Sequence, residues 1–467
     1  MQIYNTLGRT VEPLDERDQG RVGIYVCGPT VQARPHVGHG RAAVAFDVIR
    51  RYLEWRGYAV TYVQNVTDVE DKIIAAAAEQ GRSTAEVASE AQAAFEQAYA
   101  ALDVMEPTVA PKATDHIQEM IEMIESLIAT GHAYEAEGDV YFIVRSFPDY
   151  GKLSGRNIDE LRSGARVDPG AHKRDPLDFA VWKATKPGEP FWDSPWGLGR
   201  PGWHIECSAM ARKYLGVGFD IHAGGHDLVF PHHENEIAQA EAADGSRFAR
   251  FWLHNGMVTL GGEKMAKSTG HVVDLLEAVE LYPPLAVRLF YLRTHYRKPV
   301  EFTDETLRDA TAQLERLWAF RRRGGEDAEQ LSDGATTDRF IAAMDDDFDV
   351  AAGLAVLFDV VREGNRRLDA GGEAGPWFAA YDEMAGVLGI AEPAVDLADV
   401  AESLATLAMR FGSEQGTPEE TVDSLLVARD GARRDRDWTR SDEIRDALAE
   451  VGIAIEDAAD GARWHRR

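Results

Sequence analysis

The hydrophobic pattern of residues 21–65 predicts a strand, a helix and a second strand in succession. Residues 22–27 are mostly apolar, and residues 58–63 are rich in β-branched and aromatic side chains. Between them, from near Gly38 to a helix-ending Gly57, apolar side chains recur at spacings of three and four: Ala42, Phe46, Ile49 and Leu53. A helix that joins two strands indicates a βαβ unit, and therefore a parallel sheet covered by helices.

Helix signals continue beyond this unit and then give way to short strands. Residues 83–86 have the Ser-x-x-Glu pattern of a capping box, which predicts the start of an alanine-rich helix. Thr114 is placed to cap a further helix, closed by Gly131, whose apolar stripe is Ile117, Ile121, Ile124 and Ile128. Residues 133–200 hold short strands such as 139–144 between glycines and prolines, and we interpret them as an insertion into the first domain.

The pattern becomes helical again from about residue 304, with a predicted loop at 321–329. Residues 435–450 predict a helix, and the segment that follows predicts a β-hairpin around Asp460 and Gly461. Arginines near this helix either provide local positive charge for RNA or pair with neighbouring aspartates: Arg429, Arg433, Arg434, Arg436, Arg440 and Arg445. Trp464 is a candidate for stacking on an unpaired base.

Composition is that of a globular protein. The chain has 467 residues, 45% of them hydrophobic and 28% charged, and its length predicts roughly three domains. A net charge of −29 argues against a broad nucleic-acid surface but permits a local basic track. No segment approaches the ~20 apolar residues of a membrane helix. The N-terminus has no signal-peptide pattern, and two cysteines fit a reducing compartment, so we expect a cytoplasmic protein.

The only two cysteines, Cys27 and Cys207, both lie in motif-like surroundings. His232 and Glu236 are four residues apart, so on a helix both would point to one face. The four residues form a plausible Cys₂-His-Glu zinc set, because zinc accepts thiolate, imidazole and carboxylate ligands. His233 is the alternative ligand, and Glu234 and Asn235 are candidates to support the ligands by hydrogen bonds. Two buried, inert thiols are the other interpretation.

A second candidate site lies between the first strand and its helix. His36 and His39 are three residues apart at the predicted helix start, and Gly38 and Gly40 would let a ligand approach the backbone. A helix N-terminus has unpaired N–H groups and a partial positive charge, which suit an anion such as phosphate. The position also fits the carboxyl edge of an open α/β sheet, where ligands bind. The alternative is a pair of surface or capping histidines.

A third candidate is the glycine-bracketed loop 261–270, which contains Lys264 and Lys267. Two lysines on a movable loop can neutralise charge that develops on a polyphosphate while a bond breaks. A solvated basic loop is the alternative interpretation.

Six motifs occur in one order along the chain: Cys-Gly-Pro-Thr (27–30), His-Val-Gly-His (36–39), Asn-Val-Thr-Asp-Val-Glu-Asp-Lys (65–72), Gly-Arg-Pro-Gly-Trp-His-Ile-Glu-Cys-Ser-Ala-Met (199–210), Phe-Pro-His-His-Glu-Asn-Glu (230–236) and Lys-Met-Ala-Lys-Ser (264–268). As a set they resemble the cysteinyl-tRNA synthetases, which are class I aminoacyl-tRNA synthetases. The resemblance runs from about residue 2 to the end of the chain. Two positions depart from the family signatures. Val37 replaces the usual Ile of HIGH, and Ala266 replaces the first Ser of KMSKS, which removes a hydroxyl but neither lysine.

The resemblance implies an α/β fold, with a Rossmann-type parallel-sheet catalytic domain, a connective insertion, an α-helical bundle and a small C-terminal anticodon-binding domain. The expected boundaries are 1–110 with 201–255 for the catalytic domain, 111–200 for the insertion, 256–303 for the KMSKS loop and stem-contact region, 304–400 for the bundle and 401–467 for the anticodon-binding domain.

The same resemblance implies roles for individual residues. Cys27, Cys207, His232 and Glu236 match the zinc ligands of the family. Residues matching the ATP site and its catalytic groups are His36, Gly38, His39, Lys264, Lys267 and Ser268. Thr67 and Trp203 match residues near the bound amino acid, and Asp227 matches a further motif position that we assign to the same pocket.

The implied reaction has two steps, activation of L-cysteine with ATP and transfer of cysteine to the terminal adenosine of tRNA(Cys). Zn²⁺ would separate cysteine from serine by binding the thiolate, and Mg²⁺ would accompany ATP. We expect a monomer by analogy. Two rival functions are a cysteine ligase that uses an amino-sugar acceptor, as in mycothiol synthesis, and a non-catalytic RNA-binding paralogue.

Overall fold

A computed structural model describes residues 1–158, 172–260, 273–324, 334–393, 396–458 and 461–466, together with the backbone of 263–264. The chain forms two compact units, Met1–Ile390 and Ala391–Arg467. Within the described residues, none of the helices is both long and apolar enough to cross a membrane.

The predicted βαβ unit is confirmed and belongs to a four-stranded parallel sheet. Its strands are β3 (Arg21–Val26), β4 (Ala59–Gln64), β9 (Phe219–Gly225) and β10 (Ala249–Asn255), in the order β10-β9-β3-β4. Helix α1 (Val37–Trp55) connects β3 to β4. It is buried along most of its length, since Phe46, Ile49 and Leu53 are in the core while Ala42 is only half-buried. All four carboxyl ends meet at one edge of the sheet, which is where a ligand site is expected.

Helices and a small hairpin surround the central sheet. The hairpin pairs β1 (Gln2–Asn5) with β2 (Thr10–Pro13). The predicted capping box is confirmed, because Ser83 caps α3 and exchanges hydrogen bonds with Glu86. The helices are α2 (Asp71–Gln80), α3 (Thr84–Ala101), α4 (Ile117–Ala129), α5 (Trp203–Leu215), α6 (Glu234–Asp244), α7 (Leu275–Leu281) and α8 (Pro284–Leu292).

The predicted role of Thr114 as a helix cap is wrong. Helix α4 follows a 3₁₀ turn at Ala113–His116, and the residue that precedes it is His116. The hydroxyl of Thr114 donates instead to Asp68 Oδ2 at 2.6 Å, and its N–H donates to Asp68 Oδ1 at 3.0 Å. The Thr114 hydroxyl therefore bonds to a carboxylate 46 positions earlier in the chain, instead of capping the helix as the local pattern predicted.

The insertion contains a four-stranded antiparallel sheet, as its short strand patterns indicated. The strands are β5 (Ala133–Ala136), β6 (Asp139–Phe142), β7 (Phe179–Ala184) and β8 (Gly199–Pro201) in sequential order. After α6 and β10, a second small sheet contains β11 (Val258–Leu260), β12 (Glu263–Lys264) and β13 (Val300–Glu301).

The end of the first unit is helical, as predicted from residue 304. Helix α9 continues through part of the predicted loop at 321–329, and 325–329 lie outside the described residues. The four helices are α9 (Asp304–Arg322), α10 (Gly334–Met344), α11 (Val350–Asp369) and α12 (Gly375–Leu388). Their apolar faces share one hydrophobic core with α1.

The second unit has its own core around Leu404, Leu425 and Leu448. The predicted hairpin is confirmed, with Ala458 opposite Gly461, although its turn lies outside the described residues. The helix expected at 435–450 begins at Trp438, because Asp435 ends the preceding helix. The helices and strands of the second unit are α13 (Ala401–Phe411), α14 (Pro418–Arg434), α15 (Trp438–Glu450), β14 (Ile453–Ala458) and β15 (Gly461–Arg466).

Candidate active site and metal centre

Cys27 follows β3 at the carboxyl edge of the central sheet. Its N–H donates to the Ala223 carbonyl of β9 at 3.0 Å. The next residue, Gly28, lies against Asn65 at the end of β4, where a Cβ on Gly28 would come within 1.6 Å of the Asn65 carbonyl oxygen. Glycine is therefore required at this close approach, and Cys27 is held between neighbouring strand ends.

The structure brings the four predicted metal ligands together. Cys207 lies on α5 and Glu236 on α6, whereas His232 precedes α6 in a π-type turn at Val229–His233. One ligand atom from each of these residues and from Cys27 lies within 4.8 Å of the others. From Glu236 Oε1, His232 Nε2 is 3.1 Å away and Cys27 Sγ is 3.3 Å away.

Two observations indicate that these residues fit a metal ion: the types of ligand atom that they offer, and a buried carboxylate oxygen that has no hydrogen-bond partner. Glu236 is fully buried, and its Oε2 atom has no hydrogen-bond donor. His222 Nε2 lies 3.0 Å from that oxygen but outside hydrogen-bonding geometry. A buried carboxylate oxygen without a donor is costly, and a cation would remove the cost. Two sulfurs, an imidazole and a carboxylate are ligands that zinc accepts.

Sequence reasoning missed His222, which lies on β9 in the same cluster. A second possible ligand set combines His222 and His233 with Cys27 and Glu236. His222 Nε2 is 3.8 Å from Cys27 Sγ, and His233 Nε2 is 3.9 Å from Glu236 Oε1. The feature of the sequence that could have indicated this residue is a histidine within a largely apolar strand pattern. His222 is opposite Tyr25 of β3, two residues before the strand end that holds Cys27.

Three further contacts orient the histidines of the cluster. His232 Nδ1 is 2.8 Å from His204 Nδ1, and His233 Nδ1 is 2.8 Å from His254 Nε2. His254 Nδ1 is in turn 2.9 Å from the hydroxyl of Thr6. In both His232 and His233, Nδ1 is engaged on the outside of the cluster while Nε2 faces Glu236. Such outer contacts are what fix the ring orientation of a metal-binding histidine.

Burial determines the protonation of these groups. It lowers the pKa of His232 and His233 well below the ordinary value and lowers the pKa of His204 to about 3. The imidazoles are therefore neutral, which is their metal-binding form. Burial also raises the pKa of Cys27 well above its usual value. The hydrogen bond from Cys27 opposes a rise in the pKa of Cys207, but burial and the nearby Glu236 carboxylate leave that pKa raised.

A cavity of about 830 Å³ opens beside the cluster. Trp203, Asp227 and the predicted ligand His232 all line it, and the Trp203 ring centre is 4.1 Å from that of His232. Lys72 Nζ lies 5.6 Å above the Trp203 ring. Thr67 is almost completely buried, and its hydroxyl accepts a hydrogen bond from Asn65 Nδ2 at 3.2 Å. Two of the three residues assigned to the amino-acid pocket thus share one cavity with a predicted metal ligand.

His36 and His39 begin α1 as a capping pair. His36 Nδ1 accepts from the Gly38 N–H, and His39 Nδ1 accepts from the His36 N–H, both at 3.1 Å. The rings stack with centres 3.8 Å apart. Because a backbone N–H can only donate, each neutral ring carries its proton on Nε2. Gly40 is required by packing rather than by a ligand, since a Cβ there would be 2.9 Å from the Tyr291 hydroxyl oxygen.

The segment after the lysine loop contacts the histidine segment directly. Val37 N–H donates to the Val273 carbonyl at 3.1 Å, and Leu275 N–H donates to the Pro35 carbonyl at 2.9 Å. The described residues that follow the loop, from Val273 onward, therefore lie beside the start of α1. Only the backbone of Lys264 is described, and Ala266, Lys267 and Ser268 lie outside the described residues, so the predictions on these side chains stay predictions.

In the second unit, most of the candidate arginines contact neighbouring groups. Arg429 and Arg433 pair with Asp457, and Arg445 pairs with Asp442 and Asp446. Trp464 is half-buried against the core and donates from Nε1 to Asp423 Oδ1 at 2.7 Å. Trp438, at the start of α15, is instead 58% exposed. Trp438 is thus the more exposed of the two tryptophans, and stacking of Trp464 on a base stays a prediction.

Three family models match the chain in succession. Residues 13–312 match the tRNA synthetases class I (C) catalytic domain, 339–392 match the DALR domain, and 417–464 match the cysteinyl-tRNA ligase anticodon binding domain. Together they extend from the hairpin before the central sheet to the final hairpin.

Curated relatives are similar over their full length. The chain is 47% identical to the cysteine–tRNA ligase of Geobacter sulfurreducens, with 99% of each chain covered. It is 48% identical to that of Halorhodospira halophila, covering 100% of this chain and 99% of the relative. Among solved structures, methionyl-tRNA synthetase of Mycobacterium tuberculosis is similar with a TM-score of 0.58 and 16% identity, covering 87% of this chain and 94% of that one. This structural likeness confirms the class I fold, and the sequence matches are specific: the chain belongs to the cysteine–tRNA ligase family of class I aminoacyl-tRNA synthetases.

Proposed function

We propose that this cysteine–tRNA ligase recognises its amino acid through a metal ion held by Cys27, Cys207, His232 and Glu236. The observation that carries the proposal is that these four side chains meet beside the cavity lined by Trp203 and Asp227. The match to the anticodon binding domain favours tRNA over an amino-sugar as acceptor. The full-length likeness to ligases argues against a non-catalytic paralogue.

The metal best suited to this set is Zn²⁺, with His233 and His222 as nearby alternatives. Bound there, zinc would lower the pKa of the substrate thiol and bind the thiolate. An apolar pocket separates near-isosteric substrates by only about 10²-fold. Trp203 would form a flat wall of the pocket, and Asp227 would bind the substrate ammonium group. Thr67 would lie near the bound amino acid, with its hydroxyl held by Asn65 Nδ2.

For the first step, the carboxylate of cysteine attacks the α-phosphorus of ATP. A carboxyl oxygen–phosphorus bond forms, and the bond from that phosphorus to pyrophosphate breaks. The carboxylate is already ionised, so the step needs positioning and charge stabilisation rather than a general base. His36 and His39 are suited to this role because their Nε2–H groups can donate to phosphate oxygens at the N-terminus of α1. Gly38 would admit the nucleotide to that backbone.

Lys264, Lys267 and Ser268 would bind the departing pyrophosphate, with Mg²⁺ entering as part of the ATP substrate. The hydrogen bonds of Val37 and Leu275 support this assignment, because they join the residues that follow the loop to the segment that contains the histidines. In the second step, a hydroxyl of the terminal tRNA adenosine attacks the acyl carbon, and AMP leaves.

We also retain the domain boundaries given above as proposals, with 401–467 reading the anticodon through Trp438 and nearby basic groups. The enzyme is proposed to act in the cytoplasm as a monomer.

The test replaces one proposed ligand. Cys207→Ser is expected to lose bound zinc and cysteine-dependent ATP–pyrophosphate exchange, while ATP binding is kept. Ser208→Ala is the matched control, because this neighbouring hydroxyl bonds to Gln239 Oε1 at 2.8 Å and is outside the ligand set. Zinc-free Cys207→Ser with normal exchange at a normal KM for cysteine would refute the metal assignment. Charging assays with tRNA and with an amino-sugar acceptor complete the test. Activity with only the amino-sugar would refute the proposal that tRNA is the acceptor.

A further inference from the structure

We propose that Asn65 is a positioning residue that sets the spacing of the two cysteine ligands, an inference that rests on the metal site of the proposed function. Asn65 directly follows β4 and is fully buried, with 0% of its surface exposed. Its side-chain amide contacts three groups of the site: the peptide after Cys27, the sulfur of Cys207 and the hydroxyl of Thr67.

The amide oxygen connects the two cysteine segments. Asn65 Oδ1 accepts from the Gly28 N–H at 2.8 Å, and Cys207 Sγ lies 3.7 Å from the same oxygen. Since the Gly28 N–H can only donate, the atom that faces it must be the oxygen, and the orientation of the amide is fixed. A single atom is therefore in contact with the residue after one cysteine and with the sulfur of the other.

The other contacts of Asn65 prevent this oxygen from moving. Its Nδ2 donates to the Thr67 hydroxyl at 3.2 Å. The Thr67 N–H donates to the Pro29 carbonyl at 3.1 Å, and the Asn65 carbonyl occupies the space where a Cβ of Gly28 would lie. The backbones that follow Cys27 and β4 are thus locked together, and the amide is locked relative to both.

This arrangement matters because a metal site tolerates only small errors in ligand distance, on the order of 0.2 Å. Without the Asn65 amide, the buried Gly28 N–H would lose its partner, and the space beside the Cys207 sulfur, now filled by Oδ1 at 3.7 Å, would open. Loss of a group that orients a metal ligand typically weakens metal binding by about 10–100-fold.

The test is zinc affinity of Asn65→Ala, measured on the full chain by competition with a chromogenic chelator. Asn5→Ala is the matched control, because Asn5 is also buried, accepts from the Trp252 N–H at 3.0 Å and donates to the Arg250 carbonyl at 3.0 Å. We expect both variants to lose stability, but only Asn65→Ala to lose affinity for zinc, by about 10–100-fold. Its KM for cysteine should rise while its KM for ATP stays unchanged.

The outcomes separate this inference from the proposed function. Wild-type protein that binds no zinc would overturn the metal site and the inference with it. Wild-type protein that binds zinc, with the same affinity in Asn65→Ala, would overturn the role of Asn65 alone. If Asn65→Ala does not fold, Thr67→Val is the second variant, because it removes only the hydroxyl that receives Nδ2. A smaller loss of zinc affinity is expected there, and unchanged affinity would equally overturn the proposal.

Discussion

Two clusters of buried polar side chains in the larger unit differ in how many of their polar atoms have a hydrogen-bond or ion-pair partner. The first is the ligand cluster: Cys27, Cys207, His222, His232, His233 and Glu236. The second, here called the junction cluster, consists of Asp47 on α1 and Arg288 on α8, both completely buried and paired with each other. Both clusters join distant parts of the chain, but only one has atoms without partners.

In the junction cluster, the charged atoms are bonded. Arg288 donates to Asp47 and to the carbonyls of Leu102, Asp103 and Leu388, the last at 2.8 Å from Nε. The second carboxylate oxygen of Asp47 accepts the Met105 N–H at 2.8 Å. In the ligand cluster, by contrast, Glu236 Oε2, His222 Nδ1 and His233 Nε2 have no hydrogen-bond partner. Buried polar atoms that all have hydrogen-bond partners indicate a structural role. Buried polar atoms without a partner indicate a site that binds a further group.

The largest effect is expected from breaking the junction cluster. Arg288→Ala would remove one of the two counter-charges of the buried Asp47 carboxylate and leave Arg51, whose Nε lies 2.8 Å from Asp47 Oδ2. Removing one partner of a buried ion pair costs about 3–5 kcal/mol, and because Arg51 remains we expect a loss of about 3 kcal/mol. Chemical denaturation of the full chain would measure the lost free energy of unfolding.

The control for this variant is Arg362→Ala, because that arginine pairs with Asp359 but is 77% exposed. An exposed pair contributes only about 0–1 kcal/mol. Equal losses in the two variants would contradict a structural role for the junction cluster.

A change of opposite sign is expected in the ligand cluster. In metal-free protein, Glu236→Gln should raise the free energy of unfolding by about 1 kcal/mol, because it removes a buried carboxylate with an unpaired oxygen. The same variant should lose zinc. Denaturation with a chelator present, compared with denaturation with added zinc, would measure both effects.

Glu234→Gln is the matched control on the same helix. Glu234 is equally buried, but it accepts from the Gly151 N–H at 2.9 Å and the Ser154 N–H at 2.8 Å. Its neutral amide analogue should therefore lower stability by about 1–2 kcal/mol. A metal-free Glu236→Gln protein that is destabilised as much as Glu234→Gln would remove the distinction between the two clusters.

The smallest effect is expected at a half-exposed ion pair of the C-terminal unit. Asp457 accepts from Arg429 and Arg433, and hydrogen bonding to Arg429 lowers the pKa of its carboxyl to about 2. Its ordinary value is about 3.9, so the stabilisation is complete above about pH 4 and is lost as the pH falls through about 2. At neutral pH, Asp457→Asn should cost at most about 1 kcal/mol, because half of the side chain is solvated.

Hydrogen exchange of the β14–β15 amides in the full chain would report this loss. The wild type and Asp457→Asn should differ at pH 6 and converge as the pH approaches 2, and added salt should reduce the difference. A difference that persists at low pH would exclude the ion pair as its cause.

Local features of the structure were predictable where a short sequence pattern has one physical solution. Apolar spacing of three and four predicted α1, and the Ser-x-x-Glu pattern predicted the cap of α3. The meeting of the four proposed ligands was predictable because His232 and Glu236 are four residues apart and the two cysteines lie in recognisable motifs. Thr114 shows the limit of such patterns, because its hydroxyl donates to Asp68, which lies outside the local segment.

By itself, the sequence determined the class I family, many of the helices and strands, and four of the side chains that meet in the ligand cluster. Only the tertiary structure decided that His222 joins this cluster, that Asn65 contacts both cysteine segments and that Arg288 pairs with Asp47 across 241 positions. The physical reason is distance along the chain. Helical and strand periods fix which neighbours share a face, whereas partners some 200 residues apart meet only through the packing of the whole sheet and its helices.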